Sequence, residues 1–381
     1  MATLIVGMHG VAAAQRSPSS ANALLQQAHT AEASGNYRVA FDRLYTLEME
    51  HPRTPDALEG RAPLSMLLAL HGDIVSAMLQ AQALRDESSD VSQRQAALDL
   101  TTLLARRLRV KNSLLLYAAP ELMVVTGAQI DEPTQLVVEP AGSLLLVDSG
   151  ANRLYRINKE MTSTLNVTRQ PSAVTALAGG ALVAGDRNGP AVSPADVSLP
   201  KAGTWDGKDR PIRKIRSLAA NSRNDLFIVD RDYDGLLRCA AGATLCAPWG
   251  APGKLRVVRV GPSDFVITLD DKQGLVRIFD DRAKLLATIG ATAGGVPIEK
   301  AVDVLMDRAY GIYLLDGDGH RIVANVLRVS ADGQFHLDVL GSALIPQEGV
   351  RGLKNPSALA VTADGALVVA GKGTSSVLRF R

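Results

Sequence analysis

Histidine and cysteine, from which most metal sites and many active sites are built, are scarce in this chain. Its 381 residues hold six histidines (His9, His29, His51, His71, His320 and His336) and two cysteines, Cys239 and Cys246. With no further Cys or His near the cysteine pair in sequence, a sulfur-based metal site is excluded. Excess charge of either sign is also missing. Lys and Arg number 41 against 39 Asp and Glu, a net +2, which excludes nucleic acid or an anionic lipid surface as the main partner. No apolar run reaches the length of about 18 residues that a membrane-spanning helix needs. Aromatic residues make up only 4%, so Trp205 and Trp249 are expected to pack rather than to serve as stacking platforms. The chain holds no Gly-x-Ser-x-Gly elbow, no phosphate-binding loop and no haem-attachment motif.

What remains is an apolar content of 46% and a mean hydropathy of +0.08, the balance of a globular protein with ample core. The length exceeds one ordinary domain and predicts two. Residues 1–15 form a small apolar stretch ending in Ala12-Ala13-Ala14, the core and cleavage pattern of a secretory signal peptide without its basic start. Two basic runs, Arg106 to Lys111 and Arg210 to Arg216, read as solvated faces.

From Ala21 to Lys111 the apolar spacing is helical. Leu24, Leu25, Ala28 and Ala31 lie on one amphipathic stretch, broken by Ser34-Gly35-Asn36. Tyr37, Ala40, Phe41, Leu44, Tyr45 and Leu47 lie on the next, stopped by His51-Pro52. A second helix-turn-helix runs from Leu64 through Gly72-Asp73 to Leu84, with Gly72 placed 37 residues after Gly35, which predicts an insertion at Pro55 to Pro63. A last helix, Val91 to Arg109, is expected to cap the array. The pattern resembles tetratricopeptide repeats, in which Gly allows the tight turn and small residues let paired helices approach. The resemblance implies a groove for a protein partner, with Asn36 and Tyr37 as candidate groove residues.

After Asn112 the period becomes two. One phrase, an apolar run with a small or acidic stop, occurs six times: Leu144–Asp148, Ala181–Asp186, Leu226–Asp230, Val266–Asp270, Ile312–Asp316 and Leu367–Gly371. Its stops, at 148, 186, 230, 270, 316 and 371, lie 38, 44, 40, 46 and 55 residues apart. Repeats of about 40 residues, each worth several short strands, are the mark of a β-propeller. Segments 133–157 and 356–380 resemble NHL-repeat blades most closely, with Pro-x-x-apolar, then Gly, then Val-Asp or Val-Ala-Gly, and a closing Arg-apolar. The expected fold is α+β multidomain: tetratricopeptide-like α-helical hairpins over 20–111, then an all-β six-bladed propeller over 114–381. A propeller ending on a third strand leaves an open edge, and Leu122–Thr126 is expected to pair there and close the ring.

Cys239 and Cys246 flank a turn at Gly242, where hairpin partners fall within disulfide range. Asp230-Arg-Asp232-Tyr-Asp234-Gly235 matches the first half of a calcium loop, although Ala241 stands where a closing Glu belongs. Asp and Gly are also what a blade turn requires, so no metal or other cofactor is expected, calcium being the one alternative. The long connections 186–210 and 338–354 are expected to decorate one face. Hydrolases and lyases occur on propellers similar to this one, and need His or carboxylates converging on the channel; only His320 lies near a stop. These readings predict a non-catalytic protein–protein interaction scaffold or assembly factor in a bacterial envelope complex, periplasmic or otherwise extracytoplasmic. A channel-site lyase or lactonase-like hydrolase and a carbohydrate-binding propeller are the alternatives.

Overall fold

The computed structural model describes residues 19–110, 120–124, 129–158, 162–165, 170–187, 202–205, 208–250, 252–293, 296–347 and 353–381. The leader expected over residues 1–15 lies outside them, as do residues 125 and 126 of the expected closing strand. Two compact units divide between Gly60 and Arg61.

In the first unit, α1 (Ser20–Ala33) buries Ala21, Leu25, Ala28 and Ala31, and α2 (Tyr37–Glu50) buries Tyr37, Ala40, Leu44 and Leu47. Each helix opens on a side-chain cap. Ser19 accepts from the amide of Asn22, and Asn36 from that of Val39. Between them Gly35 takes φ +69°, which lets the Asn36 amide turn back to the Ala31 carbonyl at 2.8 Å.

The same turn recurs between α3 (Pro55–Leu70) and α4 (Ile74–Glu87). Gly72 has φ +89°, the Asp73 amide reaches the Leu68 carbonyl at 2.9 Å, and Asp73 caps α4 through the Ser76 amide. No insertion separates the two hairpins. α3 runs through Pro55 to Pro63, because a proline at the first helical position loses nothing and Pro63 forgoes a single amide bond while Leu64, Leu67 and Leu68 bury beside it.

In the second unit, α5 (Val91–Val110) is followed by β1 (Glu121–Val124) and by sheets of alternating period. The first sheet is β2 (Pro133–Val138), β3 (Leu144–Asp148), β4 (Arg153–Ile157) and β5 (Thr162–Leu165). β6 (Pro171–Ala176) and β7 (Leu182–Asp186) form a two-stranded sheet. β8 (Ala202–Trp205) and β9 (Lys208–Pro211) join the outer edge of the next one, made of β10 (Ile215–Ala220), β11 (Leu226–Asp230), β12 (Leu236–Cys239) and β13 (Leu245–Trp249). Then come β14 (Leu255–Val260), β15 (Val266–Asp270), β16 (Val276–Phe279) and β17 (Leu285–Ile289). A small ribbon of β18 (Thr292–Ala293) and β19 (Val296–Pro297) precedes β20 (Ala301–Met306), β21 (Gly311–Asp316), β22 (Arg321–Val329) and β23 (Phe335–Leu344). The last sheet is β24 (Pro356–Val361), β25 (Leu367–Gly371) and β26 (Ser376–Phe380), and β1 pairs antiparallel with β26 as its outer strand.

The described residues thus form a propeller of five complete blades, where six were expected. Among the described residues the second phrase yields β6 and β7, and the sequence beyond Asp186 shows no Arg-apolar pattern of the closing kind but Pro190, Pro194 and Pro200. β6 nonetheless keeps its place in the inner ring, between β2 and β10, through side-chain bonds described below.

Neighbouring sheets pack through apolar faces. Leu136, Leu146 and Tyr155 of the first blade meet Ala358, Val368 and Val377 of the last. On the other side of that last blade, Leu359, Leu367 and Phe380 meet Leu305, Tyr313 and Ile322.

Two residues of the basic run at the end of α5, Arg106 and Arg107, do not face solvent, while Arg109 does. Arg107 is buried and its guanidinium reaches Asp307 at 2.6 Å and the Ala309 carbonyl, both in the turn joining β20 to β21. Asp307 also accepts from the amides of Ala309 and Gly311 and from the Tyr313 hydroxyl. Arg106 pairs with Asp364 at 3.1 Å, in the turn joining β24 to β25. α5 therefore rests on hairpin turns at the C-terminal ends of the innermost strands. Removing one partner of a buried pair strands the other charge, so Arg107→Ala is expected to lower unfolding free energy by about 3–5 kcal/mol. Arg38→Ala, whose pair with Asp42 is more than half exposed, should leave the urea midpoint unchanged.

Candidate functional site at the channel mouth

The six innermost strands β2, β6, β10, β14, β20 and β24 share one irregularity. Each carries a bulge between its first and third residues. The bulged residues are Thr134, Ser172, Arg216, Arg256, Val302 and Ser357, each fourteen positions before the stop of its own phrase. A bulge re-aims one side chain out of the pleat, and all six of these line a single cavity of about 240 Å³ at the N-terminal ends of the strands. It is the mouth of the central channel, at the end away from α5.

Polar side chains tie the ring together there. Thr134 donates to the Ser172 carbonyl, Ser172 to that of Ile215, Ser217 to that of Val258, and Ser357 to that of Pro133. Between β14 and β20, Arg259 holds Asp303 at 2.7 Å, and Asp303 accepts from the Leu359 amide of β24 at 2.9 Å. Gln135 donates to both Val174 and Leu218 carbonyls. The circuit passes through all six strands and returns to its start.

The stops fix where each strand enters. Asp148 accepts from the amides of Asp131 and Glu132, Asp230 from those of Arg213 and Lys214, and Asp316 from those of Glu299 and Lys300. The residue after each stop donates its own amide to a carbonyl seventeen positions back, as in Ser149 to Glu132, Arg231 to Lys214 and Lys372 to Asn355. At the sixth stop a carboxylate has no room: a β-carbon on Gly371 would stand 2.5 Å from the Lys354 carbonyl. These aspartates are turn chemistry, buried and committed.

Charge at the mouth is one-sided. Arg187, Arg216, Arg231, Arg256, Arg259 and Lys372 line it, with Glu132 the single lining carboxylate. Glu132 pairs with Arg187 at 3.1 Å, while Arg216 and Arg256 share Asp271 at 2.8 and 3.2 Å. Burial would raise the Glu132 and Asp271 carboxyls, but their arginines outweigh it and hold both below the ordinary range. Burial instead wins at Asp303 and pushes that carboxyl up, against Arg259 and the amides of Leu359 and Val304.

The residues singled out from sequence lie elsewhere. Cys239 and Cys246 form a disulfide, directly opposite in the β12–β13 register, with Cα atoms 4.2 Å apart. Asp230 accepts three amides, counting that of Asp232, while Asp232 pairs with Lys214 and Asp234 with Lys254. No group of three His, Cys, Asp or Glu side chains converges among the described residues. Asn36 caps α2 and Tyr37 is buried in the helical hairpin. His320 bonds the Asp318 carbonyl at a turn and does not line the cavity; His336 is exposed near Asp338. Trp249 packs edge-on between Phe227 and Phe279, at 5.1 and 5.7 Å between ring centres. The Trp205 side chain, most of the connection 186–210 and residues 348–352 of the connection 338–354 lie outside the described residues, while residues 338–344 of the latter are not a loop but the end of β23. The mouth itself was missed, although the fixed offset of fourteen residues from each stop could have found it.

No family model matches the chain, and no curated protein matches it. Among solved structures it is similar to a gluconolactonase from Xanthomonas campestris, 12% identical over 69% of this chain and 90% of that one, with a TM-score of 0.51. It is also similar to virginiamycin B lyase from Staphylococcus aureus, at 10% identity, 69% and 98% coverage and a TM-score of 0.44. An auxiliary nutrient binding protein from Bacteroides ovatus gives 10%, 68% and 73%, and 0.47. At such identity the likeness to the gluconolactonase shows the β-propeller fold alone.

Two outcomes follow from this geometry. Closing a loop this short stabilises by about 2.5 kcal/mol, so Cys239→Ala with Cys246→Ala should lower the melting temperature measurably, and dithiothreitol should move the native chain the same way. For Asp316, burial would raise the carboxyl, yet the amides of Lys300, Glu299 and Gly319 and the Arg321 guanidinium leave it below its ordinary value. A carboxyl lowered by folding stabilises above its unfolded pKa of about 4 and loses that contribution as pH falls through the folded value. Asp316→Asn should therefore be less stable than the native chain at pH 7, by about 1–3 kcal/mol, with the gap in urea midpoints narrowing toward pH 3.

Proposed function

We propose that this chain is a non-catalytic interaction scaffold working outside the cytoplasm, with tetratricopeptide-like helices that dock a partner in an envelope complex and an NHL-like propeller as its rigid second body. The observation that carries this reading is apolar side chains left in water at helical spacing. On α2, Tyr45 and Met49 are 50% and 64% exposed, with Phe41 stacked on Tyr45; on α4, Val75 and Leu79 are 54% and 57% exposed. An exposed i and i+4 pair such as Tyr45 and Met49 is an anchor that a partner's amphipathic helix fills. The Cys239–Cys246 disulfide supports an oxidising compartment. No helix among the described residues is long and apolar enough to cross a membrane.

Two competing readings find less support in the site chemistry. A propeller lyase or lactonase-like hydrolase needs a base or metal ligands at the channel, and the single carboxylate lining this mouth, Glu132, is paired with Arg187 and held below its ordinary range. A carbohydrate site needs free aromatic faces, and Trp249 is committed to packing.

Capture from envelope extracts should recover a protein partner with the native chain and lose it with Tyr45→Glu plus Met49→Glu, at unchanged melting temperature. Equal capture by the variant, or turnover of lactones by a chain that captures nothing, would sink the proposal.

A further inference from the structure

We infer that the channel mouth is a binding site for a small organic polyanion, recognised through carboxylate or phosphate oxygens. The inference stands apart from the scaffold reading, because the apolar pairs on α2 and α4 take no part in it. Three observations carry it: an excess of cations, their incomplete neutralisation, and the fixed backbone positions from which they project.

Six cationic side chains face one cavity, and their carboxylate partners number fewer. Arg216 and Arg256 divide one carboxylate, that of Asp271, between them. Lys372 stands 3.9 Å from Asp131, a loose pair. Among the described residues, the Arg231 side chain has no hydrogen bond or ion pair, although it lines the cavity. Most pointed is Arg259. Its side chain is 11% exposed and holds Asp303 through one terminal nitrogen, while the other, Nη1, is buried with no hydrogen-bond partner. A buried guanidinium nitrogen left unsatisfied carries a desolvation penalty and leaves the Arg259 charge only partly neutralised at the cavity wall.

Concave walls of one sign concentrate counter-ions, and the guanidinium fork matches carboxylate and phosphate oxygens two at a time. The backbone positions that carry these groups are already gathered before binding. Arg216 and Arg256 project from strand bulges, and Arg187, Arg231 and Lys372 each follow a phrase stop whose succeeding amide is pinned to the entry loop. The cavity is small: about 240 Å³ lies below the usual range of drug-sized pockets. That fits a phosphate monoester or a short polycarboxylate, and not a folded peptide segment.

The test is calorimetric titration of the full chain with inorganic phosphate, with citrate, and with glucose as the uncharged control. Saturable binding of phosphate alone would assign a phosphate monoester; of citrate alone, a polycarboxylate; of both, oxyanion recognition shared by the two. Arg231→Ala and Arg256→Ala should each weaken the bound probe at least about tenfold, the loss of one charge-assisted contact, and raised salt should weaken it further. Arg231 is exposed, so its variant keeps the fold, and an unaltered melting temperature without ligand confirms this. No saturable binding of either anion at millimolar concentration, or equal binding by both variants, overturns the inference.

Discussion

The propeller depends on a lock between each phrase stop and the chain seventeen residues earlier. At every stop the next residue's amide returns to a carbonyl of the entry loop, and at Asp148, Asp230 and Asp316 a buried carboxylate also gathers that loop's amides. These bonds lie where strand pairing has not yet begun, so they set the point at which each innermost strand enters the ring. Once that point is fixed, the bulge, the side chain it re-aims and the residue after the stop all fall at the same height. Apolar packing between blades then supplies most of the stabilisation, but not the alignment.

How much of this was legible follows from what each feature needs. The phrase itself is local, a buried run followed by a turn residue, and period two exposes it directly. The cysteine pair was readable for the same reason, since hairpin register sets the two residues opposite. The α3 helix was misread because Pro55 and Pro63 look like breakers, while the burial of Leu64, Leu67 and Leu68 that sustains the helix comes from tertiary contacts. The count of complete blades failed where composition changed after Asp186, for a phrase predicts the two strands around it and not the outer two.

The mouth was hidden for another reason. Its arginines are scattered from Arg187 to Arg259, with Lys372 far beyond, and no window of sequence holds them together. Arg216 belongs to a basic run that reads as solvent-facing, as does Arg107. One lies at the mouth and the other is buried beneath the opposite turns. Charge runs say little about placement until the elements carrying them are known.

The pairing of β1 with β26 joins Glu121 to Arg379 and Val124 to Ser376. Contacts of this separation in sequence are the slowest to form, because the whole intervening chain must be ordered before they are rewarded. On the ribosome, the ring stays open until β26 has emerged, and the flank of the first blade that carries Leu136, Leu146 and Tyr155 waits uncovered until the last blade meets it. The seam is thus the closing step of folding. It is also the point where a nascent chain is most exposed to neighbours of its own kind, which makes it the natural place for a chaperone to act.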